Sequence, residues 1–252
     1  NVFPNNVGSL GFNDWGFNTK NMKNNMRFTK YLYDEFYKVE AFGLENIPKD
    51  GRCLIIPNHS GQLPFDGMLV GYAMITNEKG PRAPKAMVER FLPTVPFIGN
   101  WLNSVGAVIG DPINCERMLE REEAIVVFPE GVRGSNKLYK HKYQLQRFGA
   151  GFMHLAMKHD APIIPVGIVG MEETIRSYAD IKPLANLLGM PVAPLVIPFI
   201  FPSKVYLLFG KPIYFKNDTY KESEINARVD IVKDAINELL KEGLAKREAY
   251  IQ

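Results

Sequence analysis

A histidine and an aspartate that could perform acid–base chemistry follow an apolar segment of the chain. Residues 51–57 are predicted to form a short buried strand, which ends at Asn58 and His59, and Asp66 lies shortly after them. Histidine is the natural general base near neutral pH, because its free pKa is about 6.5. A nearby carboxylate can hold the second ring nitrogen and stabilise the imidazolium. The pair therefore predicts general-base chemistry, although a histidine beside an aspartate is also a common structural pair.

A second polar block follows another predicted buried strand, residues 124–128. It reads Phe-Pro-Glu-Gly and is followed by Arg133. Gly131 allows the backbone to approach a ligand closely, and Arg133 offers a planar fork for a phosphate or carboxylate. Glu130 is expected to orient that arginine or to bind an acceptor hydroxyl. The block therefore predicts an anion-binding turn, with a solvated surface ion pair as the alternative.

A third block consists of Pro162 and Pro165, which flank an apolar pair. Alone, it predicts a core strand with rigid ends. In order and spacing, the three blocks together resemble the glycerolipid and lysophospholipid acyltransferase family, which includes 1-acylglycerol-phosphate acyltransferase-like proteins. The resemblance covers roughly residues 40–215, most of the chain.

The resemblance implies a role for the residues of each block. His59 matches the catalytic base of the family, and Asp66 matches the residue that orients it. The positions that match the acceptor side are Glu130, Gly131 and Arg133, and those that match the acyl or CoA side are Pro162 and Pro165.

The spacing of the histidine and the aspartate departs from the family pattern. Six residues, Ser60 to Phe65, separate them, whereas the family usually has four. A wider loop is therefore needed to bring Asp66 back to the imidazole.

The anion-binding residues also depart from the family pattern. Many members have an arginine six residues after a glycine, but here Gly106 is followed at that distance by Pro112, and the nearest arginine is Arg117. Arg133 is therefore expected to hold an anion alone or together with Arg117 and Lys137. The acceptor stays open among lyso-lipids, amino-acid lipids and sugar lipids.

The elements that must position these residues predict an α/β fold. Short apolar strands alternate with helical segments, which indicates a single domain with a central mixed twisted sheet, covered by helices on both faces. In such sheets the active site gathers at the strand ends, where the polar blocks also lie. We expect an N-terminal arm and amphipathic helix over residues 1–39 and an acyltransferase domain over residues 40–252.

The helix predicted over residues 20–37 has two interpretations. Met22, Met26 and Thr29 recur at helical spacing, which is typical of an amphipathic packing helix. Alternatively, the helix lies on a membrane with its basic residues at the headgroups. Those residues are Lys20, Lys23, Arg27 and Lys30.

A long uncharged segment, residues 183–203, is a candidate lipid-binding region. It is strongly apolar but contains five prolines. Each interior proline costs a helix about 3 kcal/mol, which argues against a membrane-spanning helix. We expect the segment to dip into the membrane interface or to form the wall of an acyl tunnel, with an ordinary covered loop as the alternative.

The composition is that of a globular protein with a real core. Hydrophobic residues make up 46% of the chain and charged residues 23%. The net charge of +3 suits anionic lipid or a phosphorylated substrate and is far below that of a nucleic-acid-binding protein. Cys53 and Cys115 form no disulfide or metal pattern, which favours a reducing, cytoplasm-facing compartment. The chain shows no signal peptide and begins at Asn1 without an initiator methionine, so a leading anchor stays open.

Together, these features predict an acyltransferase that acts by direct transfer. A fatty acyl group would move from acyl-CoA or acyl-carrier protein to a hydroxyl or amine of a lysophospholipid, glycerolipid or related lipid. We expect no cofactor beyond that thioester co-substrate, no metal and no nucleic-acid partner. The expected location is the cytoplasmic face of a membrane, as a peripheral or monotopic protein. The alternatives are a lipid thioesterase or hydrolase and a non-catalytic lipid-binding protein.

Overall fold

The computed structural model describes residues 8–9, 11–13, 15–60, 63–88, 98–181, 183, 194–196 and 199–251. The strands among these residues are β1 (Glu40–Phe42), β2 (Cys53–Pro57), β3 (Lys85–Val88), β4 (Ala107–Ile109), β5 (Ala124–Val126), β6 (Ile163–Val169), β7 (Ser177–Asp180), β8 (Pro194–Val196) and β9 (Tyr206–Phe209). The helices are α1 (Thr19–Tyr31), α2 (Phe65–Ile75), α3 (Ile98–Ser104), α4 (Pro112–Glu120), α5 (Val132–Ser135), α6 (Gly151–Lys158) and α7 (Glu222–Ile251). A π-helical turn, Leu32–Phe36, follows α1, and 3-10 turns occur at Leu44–Asn46, Tyr139–His141 and Met171–Glu173.

One mixed sheet of seven strands organises the fold, in the order β1-β9-β6-β2-β5-β3-β4. Neighbouring strands run parallel, except for the antiparallel pair β6 and β9. The strands β7 and β8 form a separate antiparallel pair. The predicted single domain with a central mixed sheet is confirmed. The domain boundary at residue 40 stays a prediction.

Both faces of the sheet are buried, and β2 shows how the sequence achieves this. Successive side chains of a strand point to opposite faces. Ile55 therefore packs with Leu69 of α2 on one face, which also receives the π-helical turn. Ile56 packs on the other face, which is covered by α4, α6 and α7. An apolar residue at every position of β2 follows from this double coverage.

Three local features differ from the sequence-based expectations. The charged residues 116–122, whose sequence is typical of a helix, lie mostly in α4, which begins earlier, at Pro112. The Asp111 side chain accepts a hydrogen bond from the Ile113 backbone N–H at 2.9 Å, and proline suits the first helical position. Neither β1 nor the pair of β7 and β8 was expected. Cys53 and Cys115, which show no disulfide pattern in the sequence, are free and buried and are not among these differences.

The described residues bear only partly on the membrane-related expectations. No helix among them is long and apolar enough to cross a bilayer. Of the uncharged segment 183–203, only residues 183, 194–196 and 199–203 are described. The expectation that this segment dips into the interface or walls an acyl tunnel therefore concerns residues that lie largely outside the described part.

Candidate active site

His59 lies just beyond the carboxyl end of β2, a central strand of the sheet. Asn58 is fully buried, and its side chain replaces a strand-to-strand contact: Nδ2 donates to the Ile168 carbonyl at 3.1 Å, and Oδ1 accepts from the Ile168 N–H at 2.7 Å. These two bonds tie the end of β2 to β6. The backbone from which the His59 side chain extends is therefore held in place.

His59 and Asp66 are hydrogen-bonded despite the long loop between them. His59 Nδ1 lies 2.7 Å from Asp66 Oδ2, which also accepts from the Ser60 N–H at 3.0 Å. Asp66 Oδ1 accepts from the Gly67 N–H at 2.7 Å. The aspartate is 1% exposed and lies in the first turn of α2, where the helix dipole favours a negative charge. With Nδ1 engaged, Nε2 is the ring nitrogen available to a substrate.

The histidine and its neighbours determine the electrostatics of the site. Burial alone lowers the pKa of His59, but the charge of Asp66 and its hydrogen bond to the ring act in the opposite direction, with a smaller contribution from Glu130. The net effect is a pKa raised above the ordinary value. The imidazole also packs against the Phe128 ring at a centroid distance of 4.5 Å.

Glu130 holds the backbone of the histidine. It is 1% exposed; Oε1 accepts from the His59 N–H at 2.8 Å, and Oε2 accepts from the Gln146 N–H at 2.7 Å. The expectation that Glu130 orients Arg133 or binds an acceptor hydroxyl stays a prediction. A carboxylate this deeply buried and bonded to two backbone N–H groups serves the local structure.

Lys137 also has a different environment from the one expected. Its side chain is 5% exposed, and Nζ lies 2.9 Å from Glu172 Oε1 and 3.6 Å from Glu130 Oε2. Its charge is held between two buried carboxylates, and the expectation that Lys137 helps to bind an anion stays a prediction. Arg133 is exposed on α5, two residues after Gly131, which lines a cavity beside His59. Arg133 therefore keeps a position in which it can meet an anion.

Two glycines allow α5 to pack directly behind the histidine. Gly131 has a φ of 55° and a ψ of −148°, a conformation that essentially only glycine adopts. At Gly134, a Cβ would lie 2.6 Å from the Glu130 Cβ and 2.7 Å from the His59 Cβ. The glycine at position 134 is thus required by close packing against both functional residues.

Pro162, Pro165 and Arg117 lie away from the candidate site. Pro162 precedes β6, at the sheet edge opposite to His59, and Pro165 is buried within β6 opposite Ile56. Arg117 is exposed on α4, which covers the other face of the sheet from α2. The two prolines belong to the sheet core, and Arg117 belongs to the opposite layer, so the structure does not bring these three residues together with His59. Their expected contact with substrate stays a prediction.

A largely apolar cavity of about 290 Å³ opens beside the His59–Asp66 pair. This volume is near the lower end of the roughly 300–1,000 Å³ typical of small-molecule sites. The described wall is formed mainly by α1, α2, α3 and β3, with Phe128 and Gly131 next to the histidine. The residues contributed by α1 are Met22, Asn25, Met26 and Thr29, and those contributed by the helical part of α2 after Gly67 are Met68, Gly71, Tyr72 and Ile75.

The helical pattern of α1 was recognised in the sequence, but the cavity behind it was not. The cavity-lining residues of α1 and α2 each follow the i, i+3, i+4, i+7 spacing of a single helix face. That spacing is the same for a helix that packs on a core and for one that lines a cavity. The sequence instead directed attention to residues 183–203.

Comparison with known proteins identifies the family of the chain. The Acyltransferase family model matches residues 38–169, which is more than half of the chain. An uncharacterized protein of Mycobacterium tuberculosis is 33% identical over 255 residues, covering 96% of this chain and 70% of that protein. The human protein named DGAT1/2-independent enzyme synthesizing storage lipids is 29% identical over 180 residues, covering 69% of this chain and 53% of that protein.

A solved structure supports the fold. The crystal structure of the 1-acyl-sn-glycerophosphate (LPA) acyltransferase PlsC from Thermotoga maritima aligns with a TM-score of 0.58, covering 86% of this chain and 79% of that chain at 20% identity. At this identity the likeness concerns the fold alone. The family-model match and the mycobacterial relative establish that the chain belongs to the Acyltransferase family.

Proposed function

We propose that this acyltransferase moves a fatty acyl group from a thioester, acyl-CoA or acyl-carrier protein, to a hydroxyl or amine of a lipid acceptor. The observation that carries the proposal is the opening of a largely apolar cavity directly at the hydrogen-bonded His59–Asp66 pair. The name of a similar human protein, an enzyme synthesizing storage lipids, supports a lipid acceptor.

In the proposed mechanism His59 acts as a general base. The acceptor hydroxyl or amine donates a hydrogen bond to Nε2, which takes the proton as the acceptor attacks the thioester carbonyl. Asp66 stabilises the resulting imidazolium through Nδ1, at the 2.7 Å contact. The tetrahedral intermediate then collapses, the carbon–sulfur bond breaks, and the imidazolium returns its proton to the leaving thiolate. The products are the acylated acceptor and the free thiol.

We propose that the cavity holds the acyl chain. Beside His59 and Asp66, its wall includes the Phe128 ring and Gly131, so an acyl chain whose carbonyl lies at Nε2 could continue into a largely apolar space. Burying hydrocarbon there contributes about 0.8 kcal/mol per methylene. This binding energy would fix the thioester for attack.

We further propose that α1 faces a membrane surface. Its cavity-lining side contains two methionines together with Asn25 and Thr29. Lys20, Lys23 and Arg27 are exposed, and the helix contains no acidic residue. Phe28 and Tyr31 add exposed aromatic surface. Basic side chains contribute about 1 kcal/mol each near an anionic leaflet, and aromatic rings favour the interface. The cytoplasmic face, where anionic lipid is abundant, would suit this charge.

The proposal is tested by measuring thiol release from a long-chain acyl-CoA with a panel of acceptors. The panel contains lysophospholipids, neutral glycerolipids and amine-bearing lipids, each in vesicles with and without anionic lipid. Acceptor-dependent release together with an acylated product supports transfer and identifies the acceptor class. A preference for phosphate-bearing acceptors would support a role for Arg133. Release that is independent of every acceptor would contradict transfer and favour a thioesterase, and a parallel panel with acyl-carrier protein tests the other donor.

The pH dependence of kcat/KM is expected to reflect the raised pKa of His59. Only the neutral imidazole accepts a proton, so activity should rise with pH through an apparent pKa above the ordinary value of about 6.5. In Asp66→Asn the carboxylate that contributes most to raising this pKa is lost while burial still lowers it, so the acidic limb should move to lower pH. The plateau should fall roughly 10²- to 10⁴-fold, because the imidazole loses its orienting carboxylate.

The companion measurement for Asp66→Asn is the affinity for the acyl donor. An orienting role predicts that kcat falls much more than donor binding does. An equal loss of both, with an unmoved acidic limb, would assign Asp66 to structure alone.

Filling the cavity is expected to change the preferred acyl-chain length. A Cβ at Gly71 would meet only Pro84 Cγ, at 3.9 Å, so Gly71→Leu places its isobutyl group in the cavity without a backbone clash. Displacing about three methylenes costs about 2.4 kcal/mol, which is roughly 50-fold in kcat/KM for long chains. The measurement compares donors from octanoyl-CoA to stearoyl-CoA. Gly71→Ala is the control and should keep the wild-type profile; an unchanged profile in Gly71→Leu would place the chain elsewhere.

A further inference from the structure

A buried cluster of charged side chains lies behind the loop that carries His59. Glu130, which binds the His59 N–H, is fully buried, and the Lys137 and Glu172 side chains are 5% and 6% exposed. Glu172 belongs to the 3-10 turn after β6. The Lys137 ammonium lies 2.9 Å from Glu172 and 3.6 Å from Glu130, so one cation forms ion pairs with two buried carboxylates.

Each carboxylate of the cluster also binds a different backbone segment. Glu130 joins the His59 N–H to the Gln146 N–H, and Glu172 Oε2 accepts from the Tyr143 N–H at 2.7 Å. Burial raises the pKa of Glu172, and the nearby Lys137 counteracts that effect. Without Lys137, two carboxylates would face each other in a site that excludes water, a strongly unfavourable arrangement.

We propose that Lys137 is a positioning residue for His59, acting through Glu130 and anchored by Glu172. This inference rests on the proposed role of His59 as the base. None of Lys137, Glu130 and Glu172 lines the cavity, so their effect reaches the substrate only through the histidine. By keeping Glu130 in its place, Lys137 fixes the backbone from which the imidazole projects.

The cluster also acts on the charge of the imidazole. The groups described as acting on the pKa of His59 are Asp66 and Glu130, which raise it, and Lys137, which lowers it. Glu172 reaches the histidine only through Lys137. Removing the lysine charge should therefore raise the pKa of His59 and move the acidic limb of kcat/KM to higher pH. A residue that only fills space would leave this limb unchanged.

The test compares Lys137→Met with the double variant Lys137→Met/Glu172→Gln. In Lys137→Met we expect kcat to fall roughly 10- to 100-fold, since a shift of about 1 Å in a catalytic group costs on the order of 10²-fold. The KM for acyl-CoA should change little, and Tm should fall. The double variant removes the orphaned charge and should recover much of the Tm, but neither kcat nor the pH limb, because Glu130 still lacks its cation. Lys241→Met, at an exposed ion pair on α7, is the matched control.

An NMR titration of the imidazole tests the same inference without substrate. The His59 signal is assigned by its absence in His59→Ala, and its pKa should be higher in Lys137→Met and in the double variant than in the wild type. Wild-type kcat in Lys137→Met, or an unmoved His59 pKa combined with recovery of kcat in the double variant, would overturn the inference. If His59→Ala instead keeps full turnover, the proposed base is wrong, and the titration still decides whether Lys137 acts on His59.

Discussion

Replacing His59 by alanine is expected to reduce acyl transfer by about 10²- to 10⁴-fold, which is the contribution typical of a general base. The loss should be in catalysis and not in folding. Asp66 would lose its imidazole partner but would keep the Ser60 and Gly67 N–H donors, so no buried carboxylate is left without hydrogen bonds. The imidazole is itself 18% exposed, which limits the packing lost with it.

The measurement for His59→Ala is thiol release together with product formation, with Tm as the check on folding. His154→Ala is the matched control, because His154 is exposed on α6. It should keep wild-type turnover. Near-normal turnover in His59→Ala would remove the general-base mechanism, and the activation of the acceptor would then require another group.

Adding one methyl group at Gly134 is expected to impair both stability and turnover. In Gly134→Ala the new Cβ would lie 2.6 Å from the Glu130 Cβ and 2.7 Å from the His59 Cβ, closer than carbon atoms can approach. Relieving the overlap must move α5 or the two functional residues, and overpacking of this kind costs about 1–3 kcal/mol. Displacing the imidazole by about 1 Å should reduce kcat on the order of 10²-fold.

Gly151→Ala separates the effect of the clash from that of the substitution itself. Gly151 begins α6, and a Cβ there would meet nothing within 4 Å. This control should match or exceed wild-type Tm, because alanine restricts the unfolded chain and favours the helix by about 0.4–1 kcal/mol. Wild-type Tm and kcat in Gly134→Ala would show that α5 can move away from His59 without consequence.

The parts of the candidate site that are formed by residues close together in the chain could be predicted from the sequence. Short local sequence patterns indicate both the strand before His59 and the helix that begins near Asp66. The contact between these two residues could therefore be anticipated. The hydrogen bond from the His59 N–H to Glu130 could not be anticipated. The same Phe-Pro-Glu-Gly turn can point its carboxylate toward a substrate or toward the backbone of another loop. Its partner, the His59 N–H, lies 71 positions away in the chain.

The ion pairs of Lys137 could not be anticipated either, for a related physical reason. A lysine in a polar loop is usually solvated, so its position next to Arg133 favoured a substrate-binding role. Its ion-pair partner Glu172 lies 35 positions later, after a buried strand, and no local pattern links the two. The sheet was predictable because apolar strands alternate with helices throughout the chain. The cavity was not, because helix periodicity defines an apolar face without defining what lies opposite.

Helix α2 carries both the partner of the base and part of the cavity wall. Asp66 lies in its first turn, and Ile75, nine residues later and about 13 Å along the axis, lines the cavity. Because α2 is one continuous helix, its position affects both the pKa of His59 and the space available to the acyl chain. Engineering of chain-length preference should divide into two classes: side chains that fill the cavity in place will leave the pH profile intact, whereas changes that tilt or slide α2 will alter selectivity and proton affinity together.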